Sequence, residues 1–100
     1  MSEKYRIAVC SLNQLALQFD GNLNRIVKSI ILAKEEGAIL RVGPELEICG
    51  YSCEDAYFEP DTELHSWQVL SSILNRDDLN DIIIDIGKDV NENYFFFYLY

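Results

Sequence analysis

Ile39-Leu40-Arg41-Val42-Gly43-Pro44-Glu45-Leu46-Glu47-Ile48-Cys49-Gly50-Tyr51 is the stretch that decides how this chain folds. Its first four residues form a strand-like run. The run halts at Gly43-Pro44, because proline has no N–H for a strand ladder and fixes its own φ. An acid follows at once. In alternating α/β chains the loop after a strand's carboxyl end is where ligands bind and chemistry happens, so Glu45 is a candidate functional carboxylate. An arbitrary loop acid is more often simply solvated, and the case for Glu45 rests on its surroundings.

On the N-terminal side, Asp20-Gly21-Asn22 supplies a turn and a helix N-cap, with Asn22 the preferred cap. Leu23, Ile26, Val27, Ile30 and Ile31 then recur at about 3.6-residue spacing on one face. Arg25, Lys28 and Lys34 fall off that stripe, in solvent. Gly37 stands where a left-handed residue ends a helix. Before the helix, Tyr5 to Leu12 reads as a nearly continuous apolar strand closed by Asn13-Gln14, as a strand covered on both faces requires. Ala38 to Val42 is the second strand. Strand, helix and strand with short connections predict a parallel, right-handed βαβ unit.

Downstream, Glu47 to Pro60 is a long irregular loop carrying Tyr51, Tyr57 and Phe58, of a length that compact domains keep for function. A second helix starts near Asp61-Thr62, with Leu64, Trp67, Leu70, Ile73 and Leu74 as its apolar face. His65 lies off that stripe and reads as a surface residue rather than a base. Ile82 to Ile86 is a third buried strand, ended by Gly87. Lys88 to Asn93 is polar. Tyr94-Phe95-Phe96-Phe97-Tyr98-Leu99-Tyr100 is an uncharged aromatic end that would aggregate if exposed, or that forms a fourth strand paired with something.

The bulk properties narrow the function classes. One hundred residues make one domain at most, and so short a chain hides only about two-thirds of its unfolded surface. An apolar fraction of 49% marks a globular chain rather than a disordered one. Seventeen acids against 8 scattered bases, a net charge of −9, argue against nucleic acid and anionic membranes as partners. No run reaches the roughly 18 apolar residues a membrane span needs. Met1-Ser2-Glu3-Lys4 leads straight into the first strand without a secretory apolar region. Cys10, Cys49 and Cys53 are odd in number, which fits a reducing compartment and small buried thiols. His65 is the only histidine, so a closed zinc site lacks ligands and no metal is expected. Gly43 and Gly50 flank a Pro-Glu rather than open a helix, which leaves no Gly-rich phosphate loop.

At this point the residues resemble a known family. Ala8-Val9-Cys10-Ser11-Leu12-Asn13-Gln14, Phe19-Asp20-Gly21-Asn22 and Arg25-Ile26 look like the opening of the nitrilase-type glutaminase (CN hydrolase) domain of eukaryotic glutamine-dependent NAD+ synthetases. Arg41 to Tyr51 is very similar to that family's signature, and Leu64-His65-Ser66-Trp67 and Ile84-Asp85-Ile86-Gly87 also fit. The resemblance runs from about Tyr5 to Gly87. It implies part of a nitrilase-like α-β-β-α sandwich, incomplete here, with about three strands and two helices in residues 1–87 and a divergent aromatic tail in 88–100. The family continues with a Met-Pro-Val stretch, of which Lys88-Asp89-Val90 keeps only the valine.

The resemblance also implies a Glu-Lys-Cys site. A cysteine thiolate attacks the side-chain amide of glutamine, a glutamate is the general base, and a lysine stabilises the tetrahedral intermediate. Glu45 falls on the general-base position, and Tyr51 on one near the glutamine substrate. The lysine and the nucleophile belong to segments beyond this chain. Lys88 does not match the lysine motif, and Cys10, Cys49 and Cys53 do not match the nucleophile. The isolated chain is therefore expected to be inactive and marginally stable, with an open sheet edge. No cofactor is implied for this segment; ATP and Mg2+ belong to the synthetase domain of the full enzyme, which the resemblance makes a cytoplasmic homo-oligomer. Two other readings stay open: a fragment of another nitrilase-superfamily amidase, and a non-catalytic α/β interaction module.

Overall fold

The computed structural model describes residues 4–44, 46–50, 60–90 and 93–99, with the backbone alone for 60–63, 88–90 and 93–99. Its elements are β1 (Ile7–Val9), α1 (Phe19–Glu35), β2 (Leu40–Val42), α2 (Pro60–Leu74), a 3-10 turn (Asp77–Leu79), β3 (Ile83–Val90) and β4 (Asn93–Leu99). They form one four-stranded sheet in the order β1-β2-β3-β4. β1, β2 and β3 are parallel, as the βαβ pattern predicts, and β4 returns antiparallel along β3.

The register sorts the strand residues into two faces. Ala8 lies beside Arg41, and Arg41 beside Ile84. This row faces both helices, because Ile84 and Ile86 share one apolar cluster with Ile26, Val27, Ile30 and Ala33 of α1 and Val69, Leu70 and Ile73 of α2. The neighbouring rows, Ile7-Leu40-Ile83 and Val9-Val42-Asp85, face the other way. There Ile7 is 58% exposed and Val9 81%, since no described element packs over them.

Several sequence expectations need correction. α1 begins at Phe19, with Gln18 at its N-cap, and Asn22 lies fully buried inside the helix. Its side-chain amide bonds Leu15 and Ile48 instead of capping its own helix. Arg25 is half-buried rather than solvated, held by Gln14 and Asn22. Gly37 does end the helix in the left-handed region, at φ +79. On α2 the covered face is Ser66, Val69, Leu70 and Ile73, while Leu64, Trp67 and Leu74 are exposed. The sheet selects one arc of a helix that is apolar over a wide arc. β3 does not stop at Gly87 but runs on to Val90, because β4 pairs with it as far as Val90↔Asn93. The aromatic end is thus a strand partner, as one of its two expectations had it.

Candidate functional site

β2 delivers the chain to the loop that decided the fold. Gly43 N–H donates to the Asp85 carbonyl (3.2 Å), so the first residue after the strand is still fixed to β3. Leu46–Cys49 then form a turn, with Gly50 N–H donating to the Leu46 carbonyl at 2.9 Å. All five residues from Leu46 to Gly50 are buried. A loop whose backbone is buried must find partners for its polar groups, and two side chains and one backbone N–H from outside the loop provide them. Gln14 Nε2 donates to the Glu47 carbonyl (2.5 Å). Asn22 Nδ2 donates to the Ile48 carbonyl (2.9 Å). Leu17 N–H donates to the Cys49 carbonyl (2.7 Å).

Beneath the turn lies an ion pair with both side chains fully buried. Arg41 Nη1 donates to Glu47 Oε1 (2.8 Å) and Nη2 to Oε2 (2.7 Å), a bidentate fork. Gly87 N–H donates to the same Oε1 (3.2 Å). The guanidinium also donates from Nε (3.1 Å) and Nη2 (2.7 Å) to Ser29 Oγ, and from Nη1 to the Asp85 carbonyl (3.2 Å). The Ser29 hydroxyl itself donates to the Ile26 carbonyl (2.6 Å). Burial pushes the Glu47 carboxyl above its ordinary value, and the Arg41 guanidinium and Gly87 N–H pull it back. Among the described residues the groups bonded to its two oxygens are all donors, an arrangement that suits a carboxylate. Asp85 is also pushed up by burial, with Arg41 opposing; its Oδ1 is buried and has no hydrogen-bond partner among the described residues.

Two glycines are required by this packing. A Cβ on Gly43 would strike the Glu47 carboxylate and the Arg41 guanidinium. Gly50 has φ +86, and a Cβ there would lie 2.5 Å from the Leu15 carbonyl oxygen.

Glu45 and Tyr51, the two residues singled out from sequence, lie outside the described residues; the chain is described on both sides of Glu45 and up to Gly50. His65 is exposed on α2, as expected, with its ring 5.1 Å from that of Phe19. Cys49 is buried, as expected of a structural thiol, Cys10 is half-buried, and Cys53 lies outside the described residues. Among the described residues no group of three His, Cys, Asp or Glu side chains is placed to hold a metal, and no helix is long and apolar enough to cross a membrane. Sequence reasoning missed Arg41, Glu47 and Gln14. The signal was present in part: a charged residue inside a strand that is otherwise apolar has to be paired, and two acids, Glu45 and Glu47, follow the strand at once.

The carbon-nitrogen hydrolase family model matches residues 6–93. The glutamine-dependent NAD(+) synthetase of Macaca fascicularis is 57% identical over 90 residues, which are 90% of this chain and 13% of that protein. The Homo sapiens protein of the same name is 56% identical over the same shares. The chain therefore spans about one-eighth of the length of the curated relatives it matches. Among solved structures, a glutamine-dependent NAD(+) synthetase from Cytophaga hutchinsonii superposes with a TM-score of 0.74 over 92% of this chain and 16% of that one. Its 23% identity makes that a likeness of fold.

Proposed function

The chain belongs to the carbon-nitrogen hydrolase family, and from that premise we propose that it is part of the glutamine-hydrolysing domain of a glutamine-dependent NAD+ synthetase. What carries this reading is the 57% identity to a protein of that name across 90% of this chain. Glu45 is the general base in this reading. It takes the proton of a cysteine thiol supplied from outside this segment, and the thiolate adds to the carbon of the glutamine side-chain amide. A lysine, also from outside, stabilises the oxyanion. Glu45 returns that proton to the amide nitrogen, the C–N bond breaks, and ammonia leaves as the thioester forms. Water activated by Glu45 then releases glutamate and restores the thiol. Tyr51 lines the glutamine site.

The ammonia serves the ATP- and Mg2+-dependent amidation of nicotinic acid adenine dinucleotide in a separate domain, which is the ligase half of a cytoplasmic homo-oligomer. This segment holds no cofactor of its own, and the departure from the family lies in the last residues of the chain, since the family match reaches residue 93. Without the family's catalytic cysteine and lysine, the 100-residue chain releases no ammonia from glutamine.

A chimera tests the reading. Tyr5 to Gly87 of this chain replaces the matching segment of the Homo sapiens relative. The expected chimera forms NAD+ from glutamine, and Glu45→Gln lowers ammonia release by at least about 100-fold while NAD+ formation from added ammonia persists. A chimera that uses added ammonia but not glutamine, or one in which Glu45→Gln changes nothing, overturns it.

A further inference from the structure

We propose that the buried Arg41–Glu47 pair is the positioning element of the loop that carries Glu45, holding the chain on both sides of that residue against β2 and β3. This rests on the general-base reading of Glu45 above. Neither side chain is a catalytic residue: both are fully buried, the N–H groups of Arg41 are spent inside the protein, and both Glu47 oxygens accept from buried donors.

Three observations carry the inference. First, the pair reaches beyond the strand and loop that own it. Arg41 is anchored to α1 through Ser29 and to β3 through the Asp85 carbonyl, and Glu47 is anchored to β3 through Gly87 N–H. The chain entering the loop is tied to the same strand, through Gly43 N–H and the Asp85 carbonyl. Second, Gly43 has no room for a Cβ, because Glu47 and Arg41 occupy that space. The residues before and after Glu45 are thus packed directly on one another. Third, a buried ion pair is a poor device for stability alone, since an apolar pair of similar volume usually does as well or better. What an apolar pair cannot do is fix direction. A bidentate fork with a third donor permits one orientation, and an acid that must meet a thiol within hydrogen-bond reach needs that orientation held.

Amide hydrogen exchange in the full chain and glutamine hydrolysis in the chimera test it together. Arg41→Met/Glu47→Leu refills the buried volume and removes the directional bonds. Exchange at Glu47 to Gly50 is expected to quicken about tenfold, with amides of α1, β2 and β3 unchanged. In the chimera the same variant is expected to lose about 100-fold in kcat with KM held within about twofold, because substrate contacts stay and the base is misplaced. Should the double variant not fold, Glu47→Gln, which keeps shape and loses charge, gives the same comparison. Loop exchange that does not change overturns the proposal, and so does an equal acceleration at every amide, which would make the pair a stability element. A quickened loop with kcat unchanged overturns it as well. An unsubstituted chimera inactive toward glutamine defeats the reading of Glu45 instead, and the exchange pattern still decides whether the pair clamps the loop.

Discussion

The two faces of the sheet are made of similar residues and meet opposite fates. Beneath the helices, Arg41 is fully buried and Ile84 is 2% exposed. One residue along each strand the direction reverses, and Ile7, Val9 and Ile83 stand 58%, 81% and 38% exposed. Strand geometry sets the alternation, because successive side chains point to opposite faces. It does not say which face is covered. β1 is apolar on both and β2 on its bare face, as parallel strands packed on two sides are, yet the described helices cover only one. An α-β-β-α sandwich lays a second sheet on such a face. The covered face teaches how this segment holds itself together, and the bare one what it lacks.

The largest expected effect sharpens that contrast. Ile84→Ala opens a cavity between sheet and helices and should cost about 2–5 kcal/mol in urea unfolding. Val9→Ala removes methyl groups that are mostly in water and should fall within about 0.5 kcal/mol of the parent. Equal costs would break the comparison, and would mean that something covers the second face in solution.

Legibility in the sequence followed the same divide. Elements whose signals are local came through: the apolar stripe of Ile26, Val27 and Ile30, the left-handed Gly37, and the strand stopped by Gly43-Pro44. What failed depended on partners distant in sequence. Asn22 looked like a cap because Asn next to a turn usually is one; its amide instead joins Leu15 to Ile48. Trp67 and Leu74 looked like core because helical spacing marks an arc but not which part of it a sheet will cover. β3 was cut at Gly87, since glycine weakens a strand and pairing with β4 could not be seen locally. For the site, sequence singled out the loop and Glu45, but not the Arg41–Glu47 pair that underlies it. A pairing between a strand residue and a turn residue has no period to betray it.

A second, smaller effect concerns association. Val9→Lys places a charge on the bare face without touching the helix-covered core. A Val side chain is worth about 1.5 kcal/mol or more when buried, so the concentration at which the chain self-associates should rise about tenfold. Sedimentation over a dilution series checks this. If the chain associates unchanged, its contacts run through the open strand edge rather than the face.

The smallest effect tests whether the bare face awaits a polar partner. Asp85 shares that face with Val9 and Val42, and burial raises its carboxyl above the ordinary value, the Arg41 charge opposing. The folded state therefore holds this proton more tightly than the unfolded chain does. Below the ordinary carboxylate range both states are protonated and the difference is nil. As pH rises through the ordinary value to the raised one, the unfolded chain releases its proton first, and the folded state loses ground until both are ionised. Asp85→Asn cannot ionise and escapes that loss. Its melting temperature should match the parent's in acid and exceed it near neutral pH, with the gap opening just above the ordinary carboxylate range. The Asp85 charge also helps to raise the Glu47 carboxyl, so its removal eases the ionisation of Glu47 and widens the gap in the same direction. In a longer protein whose second sheet brings a donor to Asp85 Oδ1, the carboxylate would be stabilised and the sign would invert, so that Asn lowers the melting temperature near neutral pH. The sign of that one difference, measured in the chain and in the chimera, tells whether the sheet that covers this face also satisfies its buried acid.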